Sequence, residues 1–314
     1  MNFALTHMWK ILFAVAWIGC FYTEYNDMPD ARPVRVAHVQ AAPAQIVLLN
    51  PHEQMKSLPA PVVLRATLIT SKDEFLSGIV EIFDVKTNAP VFQKNSTTVT
   101  PIASISKLMT AMVLLDMGAS PDKKIKLKKN DIDTVKFSST KLTPGQEYTR
   151  LELIKLALIR SENPAAHALA RTASGGLPLF IDAMNKKCLA LGMLHTHFVE
   201  PTGLNPLNVS TAEDLAKMVL AAEKYSVISE IASTTIIKIH GIVMTNTNAL
   251  FSNDKWDIHL SKTGFINESG RCVAMLTTIN ARRLVVILLN GASKEARAAD
   301  ELHINKLHIV TTAY

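Results

Sequence analysis

Three short motifs contain residue types that could do chemistry, and the first is Ser104-Ile-Ser-Lys107. On a helix, residues i and i+3 lie on one face. The Lys107 amine can therefore reach the Ser104 hydroxyl and remove its proton, provided that burial lowers the lysine pKa. The same spacing occurs at 138–141 and 252–255, but only Ser104 opens a strongly patterned helix. Taken alone, Ser104 is more simply a helix cap.

The second motif is Ser161-Glu162-Asn163, and it is followed by Pro164. Because a proline disfavours helical geometry at the residue before it, these side chains are predicted to lie in a loop between two helices. From such a loop the polar groups of Ser161 and Asn163 could point into a cleft. The alternative is an ordinary turn in which Asn163 caps the next helix.

The third motif is Lys262-Thr263-Gly264. Apolar residues at every second position from Trp256 to Leu260 indicate the buried face of a strand, and Lys262 falls on the same parity. A lysine and a hydroxyl at this position could bind a carboxylate, and Gly264 would let a ligand backbone lie close along the strand. The alternative is a solvated lysine at a strand end.

The elements that must position these motifs follow from hydrophobic periodicity. Alternation predicts a hairpin of two strands, 78–84 and a return from 91, and helical spacing predicts a helix from Ser104 to Gly118. Further helices are predicted at 151–160, 165–173, 178–191 and 211–225, then strands at 256–265, 271–279 and 284–290, and a last helix from about 294. Strands at both ends with helices between them predict an α/β protein of the α+β type, with an antiparallel sheet and an all-helical insert.

The first 70 residues differ in composition from the rest. An uncharged run at 11–22 follows Lys10; it has the length of a signal-peptide core and is shorter than the ~20 residues that span a bilayer comfortably. Residues 1–24 are therefore predicted to be a signal peptide or a membrane anchor, with a lipidated Cys20 as an alternative. Six of the 14 prolines lie between 25 and 70, which predicts an extended tether there.

The overall composition excludes several classes of protein. A chain of 314 residues with 48% hydrophobic and 19% charged residues is globular, not disordered. Much of the net charge of +6 comes from a lysine run at 123–129 without interleaved aromatic residues, so no nucleic-acid partner is expected. The 3 cysteines are too few and too scattered to indicate a disulfide framework or a zinc site.

The order of the three motifs carries more information than any one of them. Ser-x-x-Lys, Ser-x-Asn and Lys-Thr-Gly, with the second in a helical insert, form the motif set of penicillin-binding proteins and β-lactamases. Together with their flanking residues, segments 101–112, 198–204 and 261–267 resemble the low-molecular-mass penicillin-binding proteins, specifically the D-alanyl-D-alanine endopeptidases. The resemblance implies a penicillin-binding/β-lactamase-like transpeptidase fold, with the catalytic domain at 71–314.

The resemblance also implies a catalytic role for five side chains. Ser104 would be the acylated nucleophile and Lys107 its general base. Ser161 and Lys262 would return a proton to the leaving amine. Asn163 would hold both Lys107 and the substrate amide.

Substrate binding would depend on the third motif and the residue after it. Lys262 and Thr263 would bind the substrate carboxylate beside Gly264. The backbone N–H groups of Ser104 and Phe265 would stabilise the oxyanion. No metal and no organic cofactor would be needed.

The implied activity is that of a penicillin-sensitive serine DD-peptidase that acts on peptidoglycan peptides in the periplasm and is acylated by β-lactams. The tether before the catalytic domain and the short segment after Gly264 favour an endopeptidase that cuts D-alanyl-diaminopimelate cross-links, with residues 8–22 as its membrane tether. The alternatives are a D-Ala-D-Ala carboxypeptidase, a serine β-lactamase using Glu162, a non-catalytic penicillin-binding cell-wall module, and a zinc peptidase using His195 and His197.

Overall fold

The computed structural model describes residues 64–68, 74–134, 136–306 and 309–313. The predicted signal peptide or anchor at 1–24 and most of the predicted tether lie outside the described residues. The helices are α1 (Ser106–Asp116), α2 (Arg150–Lys155), α3 (Asn163–Arg171), α4 (Gly176–Ala190), α5 (Ala212–Glu223), α6 (Ser226–Ala232) and α7 (Lys294–Lys306). The strands are β1 (Leu64–Leu68), β2 (Ile79–Asp84), β3 (Ala89–Lys94), β4 (Thr100–Pro101), β5 (Lys124–Lys126), β6 (Glu147–Thr149), β7 (Val209–Ser210), β8 (Ile236–Ile239), β9 (Ile242–Thr245), β10 (Asp257–Ile266), β11 (Gly270–Ile279), β12 (Arg282–Gly291) and β13 (Ile309–Ala313).

A five-stranded antiparallel sheet in the order β10-β11-β12-β2-β3 is the centre of the molecule. The hairpin of β2 and β3 joins β12, so strands from both ends of the domain form one sheet. Helices α1 to α6 come from the chain between β3 and β10. This arrangement confirms the predicted antiparallel sheet with a helical insert.

The two faces of the sheet are covered by different apolar layers. Along β11, Cys272, Ala274 and Leu276 pack with the helical insert, whereas Val273 and Met275 pack with Phe75 and with Ile304 of α7. Because both faces are buried, β11 and β12 are apolar at nearly every position rather than at every second one.

Strand β10 contains a bulge that changes which face its residues occupy. The register with β11 shifts between Ile258 and Leu260, because two residues of β10 lie opposite one residue of the partner strand. Trp256 and Ile258 therefore pack on the α7 side, whereas Leu260 packs on the helical-insert side. The predicted single apolar row from Trp256 to Leu260 is wrong, although Lys262 does share the face of Leu260.

One strand of a two-stranded sheet lies within the region predicted as tether. Strand β1 pairs antiparallel with β13, from Leu64 opposite Ala313 to Leu68 opposite Ile309. The prediction of an extended tether up to residue 70 is therefore wrong for 64–68, because those residues have a strand partner more than 200 residues away in the chain. Within the described ranges, no helix combines the length and the apolar character needed to cross a membrane.

Candidate active site

Ser104 lies in a 3-10 turn, Ala103–Ile105, that leads directly into α1. Ala103 has a φ of +48°, in the left-handed region that most side chains avoid. Neither the turn nor α1 begins with a side-chain cap, so the interpretation of Ser104 as a capping residue is wrong. The Ser104 hydroxyl oxygen instead accepts a hydrogen bond from the amine of Lys107, at 2.7 Å.

Lys107 is fully buried one turn along from Ser104. Its Nζ donates to Ser104 Oγ at 2.7 Å, to Asn163 Oδ1 at 2.6 Å and to the Thr202 carbonyl at 2.6 Å, which uses all three ammonium protons. Burial lowers the pKa of Lys107 to about 7, against the opposing charges of Glu200 and Glu162. An amine with this pKa can lose a proton at neutral pH and then accept the proton of Ser104.

The second motif reaches the site from the junction of two helices. A π-helical turn, Leu156–Arg160, follows α2 and ends at Ser161, which has a φ of +66°. Asn163 opens α3 without capping it, so the capping alternative is wrong. Asn163 Nδ2 donates to Ser138 Oγ at 2.8 Å while its Oδ1 accepts from Lys107.

Lys262 of β10 brings the third motif to the same place. It is 1% exposed, and its Nζ donates to Ser161 Oγ at 2.9 Å and to the Thr263 carbonyl at 2.8 Å. Burial holds its pKa well below the usual value, and the positive charges of Lys107 and Arg297 lower it further. The interpretation of Lys262 as a solvated lysine at a strand end is therefore wrong.

Two glycines allow the turn at Ser104 to pack tightly against its neighbours. A Cβ on Gly264 would lie 3.0 Å from both Ala103 Cβ and Ser104 N. A Cβ on Gly203, which has a φ of +85°, would lie 1.9 Å from the Ala103 carbonyl oxygen. The sequence predicted that Gly264 is small so that a ligand backbone can lie close to the strand. In the structure, the small size of Gly264 lets the turn that contains Ser104 pack against β10.

The sequence reasoning assigned no role to Glu200, which organises the loop beneath Lys107. Its carboxylate accepts hydrogen bonds from Thr202 N, Thr202 Oγ1 and Gly203 N, each at 2.6 Å. Asn208 Nδ2 also donates to Glu200, at 3.1 Å. These bonds fix the Thr202 carbonyl that accepts from Lys107. Segment 198–204 supported the family resemblance, but nothing in its spacing indicated this function.

The three motifs line one cleft of about 760 Å³ between β10, α7 and the helical insert. Thr263 Oγ1 donates to Thr247 Oγ1 at 2.6 Å. Phe265 is 45% exposed at the rim, and the guanidinium of Arg271 lies 3.7 Å from its ring centre. Arg297 of α7 also lines this cleft. Arg271 and Arg297 were not predicted, because no motif marks them and only the folded structure brings them to the cleft.

Glu162, the carboxylate considered for a β-lactamase, is hydrogen-bonded to Thr140. Its Oε2 accepts from Thr140 Oγ1 at 2.5 Å, and burial raises its pKa. It makes no hydrogen bond to Ser104 or Lys107 in the described part of the chain. Its effect on the site is electrostatic, through its charge near Lys107.

The zinc alternative rested on His195 and His197. His197 pairs through its backbone with Val209, and His195 is exposed on the surface. Over the residues that the structure describes, no three His, Cys, Asp or Glu side chains are grouped so that they could hold a metal ion.

Comparisons with known proteins identify the family. The model of the D-alanyl-D-alanine carboxypeptidase family matches residues 67–293. A D-alanyl-D-alanine endopeptidase of Escherichia coli is 39% identical over 241 residues, covering 75% of this chain and 78% of that protein. Its counterpart in Pseudomonas aeruginosa is 37% identical over the same length, with the same coverage.

Solved structures with a similar fold include a DD-transpeptidase and a penicillin-binding protein. A mutant of the Streptomyces K15 DD-transpeptidase superposes with a TM-score of 0.68 at 27% identity, covering 73% of this chain and 96% of that one. Penicillin-binding protein D2 of Listeria monocytogenes, in its cefotaxime-bound form, gives a TM-score of 0.66 at 27% identity with the same coverage. The antiparallel sheet with its helical insert is therefore the fold of the DD-transpeptidases. On this family match and these identities, the chain belongs to the D-alanyl-D-alanine carboxypeptidase family and is a serine-type DD-peptidase.

Proposed function

We propose that this chain is a penicillin-sensitive D-alanyl-D-alanine endopeptidase that cleaves D-alanyl-diaminopimelate cross-links of peptidoglycan through an acyl-enzyme. The observation that carries the proposal is the 2.7 Å contact between the buried Lys107 amine and the Ser104 hydroxyl. Relatives at 37–39% identity are named D-alanyl-D-alanine endopeptidases, which supports the cross-link as the substrate.

In the acylation step, neutral Lys107 accepts the proton of Ser104 while Oγ attacks the carbonyl carbon of D-alanine. The oxyanion is stabilised by the backbone N–H groups of Ser104 and Phe265. The C–N bond then breaks, and the leaving amine takes a proton from Ser161, which Lys262 replaces. Because the charge of Lys107 is one cause of the low pKa of Lys262, neutral Lys107 favours the protonated Lys262 that this step needs.

Deacylation follows the same route in reverse, with water in place of the amine. Water gives a proton to Ser161, which passes one to Lys262, and the remaining hydroxide forms a bond to the carbonyl carbon. The ester bond to Ser104 breaks, and Lys107 returns its proton to Oγ. Both lysines are then restored to their starting states, and the peptide that ends in D-alanine leaves as a carboxylic acid, which loses its proton to solvent.

The leaving residue carries a free carboxylate, and the cleft offers groups to bind it. Thr263 lines the cleft beside Lys262, and Arg297 lies on the facing helix α7. These groups bind the carboxylate of a leaving D-alanine as well as that of a leaving diaminopimelate. The carboxypeptidase reaction is therefore separated from the endopeptidase reaction by product analysis.

The N-terminal residues bear on where the enzyme works. We propose that residues 1–24 direct export or anchor the chain to the membrane, so that the catalytic domain meets peptidoglycan in the periplasm. The uncharged run at 11–22 supports this proposal. Protease accessibility of the chain in intact spheroplasts tests it, because a cytoplasmic protein would be protected.

The first test of the activity is the intact mass of the protein after incubation with benzylpenicillin. We expect a persistent one-to-one adduct on the wild type and no adduct on Ser104→Ala. Structures of the Listeria relative are known in cefotaxime-bound and ampicillin-bound forms, which supports a stable β-lactam complex. Hydrolysis of penicillin without an adduct would instead indicate a β-lactamase, and no reaction would indicate a non-catalytic module.

A digest of cross-linked muropeptide dimers then identifies the bond. An endopeptidase converts the dimers to monomers without releasing free D-alanine. Release of D-alanine from pentapeptides with the dimers left intact would identify a carboxypeptidase and contradict the proposal. Ser104→Ala serves as the inactive control in both assays.

A further inference from the structure

A second cavity, of about 290 Å³, adjoins the catalytic cleft at Asn163. Its walls come from residues 130–133 and Lys136, from α3 and from the loop that contains Thr202 and Leu204. Asn163 is shared by the two cavities, so a substrate can pass from one to the other across the residue that contacts Lys107. Apart from Glu200 and Thr202, the residues on the far side of Asn163 have no part in the proposed mechanism.

One of these residues, His167, is held in a fixed orientation. Its Nδ1 lies 2.7 Å from Asp131 Oδ1, and Asp131 is 3% exposed. Arg171 donates to both oxygens of Asp131, through Nε at 2.8 Å and Nη2 at 2.7 Å. Beside this guanidinium Asp131 is a carboxylate, which can only accept hydrogen bonds.

The fixed carboxylate determines which ring nitrogen of His167 carries the proton. Since Asp131 only accepts, Nδ1 carries the hydrogen and Nε2 of the neutral ring presents a lone pair. Nε2 makes no hydrogen bond to any described residue, and the side chain is 24% exposed where it lines the cavity. His167 therefore offers the cavity an oriented hydrogen-bond acceptor.

The position of His167 on α3 places it towards the part of the substrate that precedes the scissile bond. It follows Asn163 by four residues on α3, so both side chains lie on one face of that helix. The cationic groups that suit a carboxylate, Arg271 and Arg297, line the other cavity. If the leaving residue with its carboxylate occupies that cavity, the peptide before the scissile bond extends past Asn163 towards His167.

The charges around His167 favour a cation as the group that it binds. Asp133 and Glu200 line the cavity; the charge of Asp131 is balanced by Arg171, and Lys136 at the edge is paired with Glu268 at 2.5 Å. An acceptor nitrogen among carboxylates suits an ammonium group. In a cross-linked substrate, the residue before the scissile D-alanine is a diamino acid with a free amino group on its side chain.

We propose that His167 is a specificity-determining residue whose Nε2 binds the free side-chain amino group of the residue that precedes the scissile D-alanine. Asp131 is its positioning residue, because it fixes the tautomer and the ring. The proposal rests on the proposed function, since it assigns the acyl side of the substrate to this cavity.

Two cross-link peptides that differ only in this amino group test the proposal: Nα-acetyl-L-lysyl-D-alanine joined through its carboxyl group to the D-centre amino group of diaminopimelate, and the same peptide acetylated also at Nε of the lysine. We expect the wild type to prefer the free amine by about tenfold in kcat/KM, mainly through KM, as one hydrogen bond to a charged group predicts. His167→Leu should lose most of this preference. His167→Gln, whose amide oxygen can accept a hydrogen bond near the position of Nε2, should keep part of it.

His195→Gln, on an exposed surface outside the cavity, is the matched control and should keep the full preference. A wild type without preference for the free amine, or a His167→Leu variant that keeps the preference, would overturn the inference. The proposed function fails by a different result, namely a wild type that cleaves neither peptide and forms no adduct with benzylpenicillin. If His167→Leu does not fold, the comparison of the two peptides on the wild type still decides.

Discussion

The two buried lysines of the active site differ in the charges that surround them. Lys107 has Glu200 and Glu162 nearby, which oppose the effect of burial, and its pKa is about 7. Lys262 has Lys107 and Arg297 nearby, which add to the effect of burial. The same residue type is therefore a base in one position and, when Lys107 is neutral, a proton donor in the other. The motifs identified both lysines, but the charges around them also come from Glu200 and Arg297, which no motif contains.

The pKa of Lys107 predicts the pH dependence of acylation. Because the base must be neutral, the second-order rate constant for benzylpenicillin should rise with pH and level off above about 7. Glu162→Gln removes a negative charge that raises this pKa, so the rise should move to lower pH by about 0.5 unit. Rate measurements from pH 5 to 9 check both statements.

Glu147→Gln is the control for this series, because Glu147 is exposed on β6 and should leave the profile where it is. A profile that moves to higher pH in Glu162→Gln, or that is flat across the range in the wild type, would contradict the assignment of Lys107 as the base.

At the scale of elements, periodicity predicted six of the seven described α-helices and the five strands of the central sheet, but neither the other strands nor the irregularities. The helix after Ser104 and the final three strands of the sheet lie within about two residues of their predicted bounds. The alternation of apolar residues predicted one buried face along β10, and this was wrong because a bulge after Ile258 leaves no signal in the pattern of apolar residues. The left-handed backbone at Ser161 was also not predicted, since it follows from a π-helical turn that sequence spacing does not reveal.

The close approach of the Gly203 loop to the nucleophile turn predicts a severe effect of one added methyl group. Gly203→Ala places its Cβ 1.9 Å from the Ala103 carbonyl oxygen, so one of the two elements must move. We expect a loss of about 3 kcal/mol in the free energy of unfolding and a loss of acylation. Denaturant titration and the benzylpenicillin adduct measure the two effects.

Gly192→Ala separates the clash from the cost of the backbone conformation. Gly192 has a φ of +68°, and a Cβ there would meet nothing within 4 Å. This variant should lose only about 1 kcal/mol, which is the cost of a left-handed alanine, and should keep its activity. Equal losses in the two variants would show that the approach to Ala103 is not what limits residue 203.

At the scale of the whole molecule, the pairings that complete the structure join residues far apart in the chain. Strand β2 pairs with β12, and β1 pairs with β13. Such pairings cannot be derived from local periodicity, because either strand would look the same with another partner. The predicted antiparallel sheet contained strands from both ends of the domain but did not specify their partners, and the strand at 64–68 was not predicted within its proline-containing segment.

Ala66→Pro tests the outer pairing through the backbone alone. Ala66 lies opposite Thr311, and a proline there removes an N–H group and restricts φ. Amide hydrogen exchange in 309–313 should become at least about tenfold faster, while exchange in β10 should stay at the wild-type rate. The conservative Ala66→Ser should leave both rates unchanged. An exchange rate in 309–313 that is the same in Ala66→Pro as in the wild type would show that β1 does not protect β13.

The order of strands in the central sheet also determines when in its synthesis the enzyme can become active. Strand β2 has no neighbour on one side until β12, about 200 residues later, has left the ribosome. Lys262 and Gly264 likewise arrive after the nucleophile helix and the whole insert. We therefore expect a nascent chain that contains Ser104 and Lys107 to remain inert towards β-lactams until the last strands have been made. With the proposed export, such late closure would keep the chain unfolded until it has crossed the membrane, and would make the hydrolase active only where folding is completed.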